Sequence, residues 1–333
     1  MIMTADLLTK MISIPSVSRD EKAVADFLEG YLRELGLNPS RHGNNLWCVK
    51  GQGPAVLMDA HIDTVKPVSA WQTDPFTPVV EEDRITGLGS NDDGGSVAAM
   101  IQAFMKADPK RHTLVLSLSA EEELGGVNGL ESVLPVIEAA VGPISCGIMG
   151  EPTGLRMAIA ERGLMVLDCT VRGVAAHAAS GLGENAIGKS LPIIQWFLDH
   201  GMQVTQIGAG TQHNIVPDCC TFVVDCRTVG RNQEVLDKIL PEVSCEVKPR
   251  STRLNGTNTP LTHPLVVAGR AIGLETYSSP TLSNQALCSF PTIKLGPGES
   301  ARSHTAGEYI LLSEVDRAVE VYLALFEAYE NLG

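Results

Sequence analysis

The stretch VLMDAHIDTV, residues 56–65, begins as an apolar strand and ends with a histidine between acids. Asp59, His61 and Asp63 stand at every second position, and alternate side chains of a strand lie on one face. We therefore expect these three side chains to share a face near the carboxyl end of the strand. Open α/β sheets keep their ligand sites at that edge. The stretch predicts an α/β fold with a functional site where this strand ends.

The sequence around this strand alternates between strand and helix patterns. Ser18 and Glu21 have the spacing of a capping box, which predicts that a helix begins there and ends at Leu35-Gly36. Further periodic segments predict strands at 45–49, 55–60, 113–120 and 146–150 and helices at 95–107 and 129–139. This alternation is typical of a layered α/β domain.

A different pattern follows Glu151. Alternating and helical segments predict a small α+β unit, with strands at 162–173, near 203–208, 215–226 and 243–248, and helices near 185–199 and 231–240. A Pro- and Thr-rich segment then leads to a helix near 264–273, the strand PTIKLG and a terminal helix at 313–330. The predicted domains are therefore 1–161 with 257–333, and an inserted 162–256.

Composition limits the possible partners. The 333-residue chain has a formal net charge of −14 and is 44% hydrophobic, which argues against nucleic acid or an anionic membrane as partner. We expect a cytoplasmic protein, because the sequence shows neither a leader pattern nor an 18-residue apolar run. The eight cysteines form no CxxC pair, which predicts buried, reduced thiols.

Acidic and histidine residues recur where strands are predicted to end. They occur in GSNDDGGS (Asp92, Asp93), SAEEELGG (Glu121 to Glu123), MGEPT (Glu151) and RSHTAGE (His304). Crowded carboxylates repel one another in a low-dielectric crevice unless cations neutralise them. A lone strand histidine is often a core residue and a Glu triplet is often a solvated helix start. The repetition of such motifs at strand ends favours a metal site with His and carboxylate ligands.

These motifs resemble the dinuclear zinc aminoacylase/carboxypeptidase family, which includes acetylornithine deacetylase, succinyl-diaminopimelate desuccinylase and aminoacylase. The resemblance implies a layered mixed-sheet metallohydrolase domain with an inserted dimerisation or lid domain. It also implies two divalent ions, Zn²⁺ or Co²⁺, with Asp92 of GLGSNDDGG as the bridge between them. The implied ligands are His61, Asp92 and Glu151 for one ion and Asp92, Glu123 and His304 for the other.

The resemblance also implies catalytic and substrate-binding residues. Glu122 matches the general base, and Asp63 the carboxylate that orients His61. His177 of GVAAHAASGLGENAI matches a histidine that reaches the active site of the partner subunit, which implies a homodimer. Asn214 and Arg227 match substrate-contact positions, Arg227 being suited to grip a carboxylate. As alternatives, His177 is a surface histidine, Asn214 caps a turn and Arg227 forms a strand-end ion pair.

The motifs GLGSND and GPGESARSHT are most similar to the acetylornithine deacetylase branch. We therefore expect hydrolysis of N-acetyl- or N-succinyl-ornithine or citrulline in arginine biosynthesis. Asp93, Gly94, Asn284 and Gly307 depart from the common family pattern, which leaves the acyl and side-chain pockets open. The alternatives are a dipeptidase or carboxypeptidase of the same family, and a catalytically silent binding protein of the same fold.

Overall fold

The computed structural model describes residues 2–332. Helices α1 to α8 span Ile2–Ile12, Lys22–Glu34, Gly95–Lys106, Leu130–Val141, Ala186–Asp199, Asn232–Ile239, Pro264–Ala271 and Leu312–Glu330. Strands β1 to β18 span Ser40–His42, Asn45–Gly51, Ala55–His61, Val79–Glu81, Arg84–Thr86, Thr113–Ser119, Ile144–Met149, Met157–Glu161, Gly163–Arg172, Ala176–His177, Gln203–Ala209, Ile215–Val216, Cys219–Thr228, Glu246–Pro249, Thr257–Asn258, Thr276–Ser279, Thr292–Lys294 and Tyr309–Leu311. The predicted mixed-sheet α/β fold is confirmed.

The chain divides into two compact units. The larger contains the residues up to Ala160, Asn258–Ser279 and those from Ser283 onward, and the smaller contains Glu161–Thr257 and Pro280–Leu282. The predicted junctions, 161/162 and 256/257, differ from the observed ones by a single residue each. The short segment Pro280–Leu282 groups with the smaller unit, which no local sequence pattern indicated.

The larger unit is built on a mixed sheet with the strand order β1-β2-β6-β3-β7-β17-β8. Strand β3 runs parallel to β6 and β7, and β17 runs parallel to β7, while β2 and β8 are antiparallel to their neighbours. The carboxyl ends of the four parallel strands therefore meet at one edge of the sheet. That edge receives the loops that follow β3, β6, β7 and β17.

Strand β3 is buried on both faces. Its residues alternate between two cores: Val56 and Met58 pack in the larger apolar cluster with helices α1, α3 and α8, while Ala55 and Leu57 pack in a second cluster with α4. This alternation follows from the two-residue period of a strand. Because helices cover both faces, an apolar run with little polar alternation forms the strand.

The smaller unit is an antiparallel sheet in the order β11-β13-β9-β14. Strand β9 alternates buried and half-buried residues, and its buried face packs with apolar residues of α5 and α6. Helix α5 begins at an N-cap residue, Asn185, whose side-chain oxygen accepts the backbone N–H groups of Ile187 and Gly188. The alternating pattern at 162–173 correctly predicted β9, one of the two inner strands of this sheet.

The predicted capping box at the start of α2 is wrong. Helix α2 begins at Lys22, and its N-cap residue Glu21 makes no side-chain cap hydrogen bond. The hydroxyl of Ser18 donates instead to Asp63 Oδ2 at 2.6 Å. Ser18 therefore lies three residues before the N-cap residue, and its hydroxyl forms a tertiary hydrogen bond to a buried carboxylate rather than a cap.

The sequence also predicted buried, reduced thiols. All eight cysteines have free thiols, and those of Cys219, Cys245 and Cys288 are half-buried while the others are buried. None of the helices between residues 2 and 332 combines the length and apolar character needed to cross a bilayer.

Candidate metal centre

Three of the candidate ligands lie at or just beyond the carboxyl ends of parallel strands, whereas Asp92 lies between α3 and β5, a strand of a separate antiparallel sheet. His61 ends β3 and lies opposite Ser119, the last residue of β6, so the triplet Glu121 to Glu123 begins just beyond it. Met149 ends β7 and pairs with both Asp59 and Lys294, which places Glu151 two residues past the same edge. The parallel register therefore brings together side chains that are up to 90 positions apart in the chain.

His61 is held so that one ring nitrogen faces the centre. Its Nδ1–H donates to the carbonyl oxygen of Asp63 at 2.9 Å, and its Nε2 lies 3.1 Å from Asp92 Oδ1. Burial by itself would lower the pKa of His61, but hydrogen bonds with Asp63 and Asp92 and the charge of Glu122 raise it well above its ordinary value. In the neutral ring this tautomer leaves Nε2 free to bind a cation.

The carboxylate of Asp92 lies between two imidazoles. Its Oδ1 is 3.1 Å from Nε2 of His61, and its Oδ2 is 3.6 Å from Nε2 of His304. His304 Nε2 is also 3.0 Å from Glu123 Oε1, and this hydrogen bond, against the opposing effect of burial, raises the pKa of His304 to about 9. Each oxygen of Asp92 thus faces a different histidine, as expected of a carboxylate that bridges two ions. The peptide bond between Asp92 and Asp93 is cis.

Asp63 organises the loop after β6. Its Oδ1 accepts the backbone N–H of Glu122 at 3.0 Å, and its Oδ2 accepts that of Glu123 at 3.1 Å and the Ser18 hydroxyl. Burial would raise the pKa of Asp63, but its bonds with His61, Ser18 and the Glu122 N–H lower it. A carboxylate with this many donors stays charged and holds its partners in place.

The remaining carboxylates at this edge have raised pKa values. Burial is the main cause for Glu122, Glu123 and Glu151, and the negative charges of neighbouring carboxylates add to it. A buried lysine, Lys294, opposes the shift at Glu151, and His304 opposes it at Glu123. Buried acids that raise one another's pKa form a site in which a bound cation would be stabilised.

The donor atoms fit divalent metal ions. Within residues 2–332, two groups have their possible ligand atoms within 4.8 Å of one another: His61, Glu122 and Glu151 form one, and His61, Asp92 and Glu123 form the other. Imidazole nitrogen and carboxylate oxygen are the ligands of hydrolytic zinc sites. His304, with its ring half exposed, lies at the open side of the second group.

All five predicted metal ligands are therefore close together in the larger unit, and so are Asp63 and Glu122. One feature differs from the expected arrangement: a carboxylate oxygen of Glu122, predicted as the base, lies within 4.8 Å of the possible ligand atoms of His61 and Glu151. The separate roles of Glu122 and Glu123 stay a prediction.

The smaller unit brings two predicted residues together. His177 in β10 pairs with Ile215 in β12, and the carbonyl oxygen of the adjacent Asn214 accepts the N–H of Ala178. The ring Nδ1 of His177 accepts the N–H of Ala179 at 3.1 Å, so its Nε2 carries the proton in the neutral ring. His177 and Asn214 are exposed. In this tautomer the exposed ring has an N–H donor at Nε2.

Arg227 is engaged elsewhere on the smaller unit. Its Nε and Nη2 donate to the two carboxylate oxygens of Asp225 at 2.9 and 3.2 Å. Asp225 is two residues earlier on the same strand and therefore on the same face. The contact agrees with the ion-pair alternative, while substrate binding by Arg227 stays a prediction.

Several residues of the site were missed or given no role by the sequence. Glu308 accepts the backbone N–H groups of Asn91 and Asp92, and the Asn91 side chain bonds to the loop before His304. Asn284 donates to Asp59 and to Ser119 beneath the site. Glu308 and Asn91 lie within the quoted motifs, but nothing local shows what their side chains contact.

Comparison with known proteins finds a curated relative of similar sequence. A succinyl-diaminopimelate desuccinylase of Buchnera aphidicola subsp. Acyrthosiphon pisum (strain Tuc7) is 30% identical over 242 residues, which cover 64% of this chain and 64% of that protein. The chain thus matches slightly less than two thirds of the length of this curated relative.

Solved structures of other proteins have a fold similar to that of this chain. A tripeptidase of Staphylococcus aureus subsp. aureus Mu50 has a TM-score of 0.78 at 17% identity and covers 99% of this chain and 98% of its own. A dinuclear metal-binding peptidase of Bacillus subtilis has a TM-score of 0.73 at 14% identity, with 97% and 96% covered. The family model for peptidase family M20/M25/M40 matches residues 57–328, a span that contains every candidate ligand from His61 to His304. The resemblance predicted from the motifs is thereby confirmed, and the chain belongs to peptidase family M20/M25/M40.

Proposed function

We propose that this protein hydrolyses the amide bond of an N-acyl amino acid with the help of two divalent metal ions, zinc or cobalt. The observation that carries the proposal is the position of Asp92, whose two carboxylate oxygens lie 3.1 and 3.6 Å from the Nε2 atoms of His61 and His304. Bound between these residues, the ions would acidify a water molecule and polarise the substrate carbonyl.

The protein residues would supply the proton transfers. Glu122 has a pKa raised well above its ordinary value, mainly by burial and partly by the charges of Glu123, Asp63 and Asp92, with His61 opposing. A carboxyl group so tuned can accept a proton from water and later deliver it to the amine nitrogen that leaves. Asp63 accepts the backbone N–H of Glu122 and thereby fixes where the main chain of this base lies in the site.

We infer the substrate class from the relatives and from the motifs. The curated relative acts, by its name, on a succinylated diamino acid, and the sequence motifs favour an acetyl- or succinyl-ornithine or citrulline. Release of the free amino acid would suit arginine biosynthesis in the cytoplasm.

We also propose a homodimer formed through the smaller unit. In the described part of that unit, β11 is the end strand of its sheet and is mostly exposed along its length. Its Ile207 is 60% exposed, and Leu191 and Leu198 on α5 are 58% and 41% exposed. An exposed edge strand with apolar neighbours is a surface that favours pairing with a second chain. His177 would then be available to act in the partner's active site.

The function is tested by a substrate panel with metal-loaded and metal-free protein. We expect hydrolysis of N-acetyl- or N-succinyl-ornithine or citrulline that is lost on chelation and restored by Zn²⁺ or Co²⁺. Turnover of dipeptides, with none of acyl amino acids, would favour the dipeptidase alternative. Metal binding without any turnover would favour the binding-protein alternative, and hydrolysis that persists in chelator would contradict the metal mechanism.

A further inference from the structure

The loop that carries His304 is held by the residue that precedes Asp92. Asn91 is fully buried, and its amide group makes three hydrogen bonds to this loop. Its Oδ1 accepts the backbone N–H of Glu299 at 3.1 Å, and its Nδ2 donates to the Glu299 carbonyl at 3.2 Å and to the Ser303 hydroxyl at 3.1 Å. Ser303 directly precedes His304. Both ends of one amide therefore fix the loop just before the histidine.

Besides its 3.0 Å contact with Glu123 Oε1, the position of His304 depends on the backbone of its loop. Its side chain is 50% exposed, and its backbone φ is 59°, in the left-handed region that is unfavourable for residues other than glycine. Such a conformation persists only where the surrounding structure holds it. The position of the imidazole therefore depends on how the loop backbone is tied to the rest of the unit.

The main chain of Asn91 is fixed together with that of Asp92, the candidate bridging residue. Glu308 Oε1 accepts the backbone N–H groups of Asn91 and Asp92 at 2.9 and 3.0 Å. The main chain of Asn91 is thus fixed together with Asp92, and its side chain is fixed to the loop of His304. A single residue links the two sides of the 3.6 Å gap between Asp92 Oδ2 and His304 Nε2.

We propose that Asn91 is a positioning residue for the second metal site, which holds the loop 299–304 where His304 and Asp92 can bind the same ion. The inference rests on the two-metal function proposed above. Asn91 acts through His304, since its amide bonds to the loop. It follows that removing the amide should weaken binding of the ion held by His304. Binding of the ion held by His61 and Glu151 should be almost unaffected.

The experiment is a Co²⁺ titration of metal-free protein, followed by visible absorption, for four proteins: wild type, Asn91→Ala, His304→Ala and the double variant. The binding event that His304→Ala weakens identifies the His304 ion. We expect Asn91→Ala to weaken this event by about 10- to 100-fold, as for other residues that orient metal ligands, and to shift the other by less than about twofold. In the His304→Ala background, Asn91→Ala should add nothing.

Two further variants separate positioning from folding. Asn232→Ala removes a buried asparagine of the smaller unit, whose Nδ2 donates to the carbonyls of Leu164 and Leu254, and should lower the Tm with both Co²⁺ events unchanged. Ser303→Ala removes one bond of the Asn91 amide, together with the bond of the Ser303 hydroxyl to Asp92, and should shift the His304 event in the same direction. It provides the test if Asn91→Ala fails to fold.

Equal weakening of both events, no weakening, or a full effect of Asn91→Ala in the absence of His304 would each overturn the inference. A wild-type protein that binds no second ion would instead contradict the two-metal function on which the inference rests.

Discussion

Asp63 accepts the backbone N–H of Glu122 at 3.0 Å through Oδ1, while its own carbonyl oxygen accepts Nδ1–H of His61 at 2.9 Å. A single residue therefore positions both a candidate ligand and the candidate base. Its carboxylate is buried among these partners, so no solvent molecule could replace it without rearrangement. The orientation of His61 and the start of the turn at Glu122 are coupled through this residue.

Substituting Asp63 should accordingly impair metal binding and catalysis together. Asp63→Asn preserves the shape but removes the charge and an acceptor, so we expect metal affinity to fall by about 10- to 100-fold and kcat to fall as well. Equilibrium metal competition and steady-state kinetics measure the two effects. Asp83→Asn is the matched control, because Asp83 accepts the backbone N–H of Ser313 on α8. Wild-type metal affinity in Asp63→Asn would refute this role.

The three adjacent glutamates should separate by function. Glu122→Gln is expected to retain both ions and lose several orders of magnitude in kcat, because it removes the base. Glu123→Gln should lose the ion bound by His304, since Glu123 Oε1 is 3.0 Å from that ring. Glu121, whose carboxylate bonds to Asn128 rather than to a candidate ligand, should tolerate Gln best. Metal stoichiometry and kcat are measured for each variant; loss of an ion from Glu122→Gln would make Glu122 a ligand.

Three of the ligands could be predicted from the sequence because each ends or follows a parallel strand, and parallel strands bring their carboxyl ends to one edge. His61, Glu123 and Glu151 were found in this way, with their roles supplied by the family resemblance. The contacts that orient them could not be predicted. Ser18 has a local partner by its spacing, yet it bonds to Asp63, 45 positions away. Glu308 reaches Asn91 across 217 positions, a pairing that only the folded chain defines.

Arg227 illustrates a different limit. Its bidentate contact with Asp225 spans two positions on one strand face and was open to sequence reasoning as the ion-pair alternative. The family resemblance favoured a substrate role, while the local period predicts the observed partner. Residue spacing thus predicts contacts within one strand. It does not predict which ligand an exposed side chain binds.

The end of helix α8 should contribute pH-dependent stability. Glu330 accepts the backbone N–H groups of Lys110, Arg111 and His112, and these bonds, with the His112 ring, outweigh burial and lower its pKa. The stabilisation by a carboxylate of lowered pKa is complete above the ordinary value of 4.5 and is lost as the pH falls through the folded-state pKa.

Glu330→Gln is expected to lower the free energy of unfolding by about 1–3 kcal/mol at pH 7, because it weakens bonds to a buried charged acceptor. The difference from wild type should shrink as the pH falls below 4.5, the range in which the wild-type carboxylate becomes protonated. Urea unfolding across this range measures it. Glu327→Gln, an exposed position on the same helix, is the control. A difference that is constant with pH would show that the charge is unimportant.

The last prediction concerns His177 and tests the dimer and the catalytic role together. The ring accepts the N–H of Ala179 at Nδ1, which leaves Nε2–H as a donor for the oxyanion of a partner's reaction. If His177 acts across the interface, His177→Ala and Glu122→Gln are each nearly inactive alone, but a mixed dimer has one intact site. Its other site carries both substitutions. Random exchange of equal amounts makes about half of the dimers mixed, so about a quarter of wild-type activity should return. Exchange is verified by native mass spectrometry, and activity is measured on the same samples. If mixed dimers form and no activity returns, His177 does not act in the partner's site.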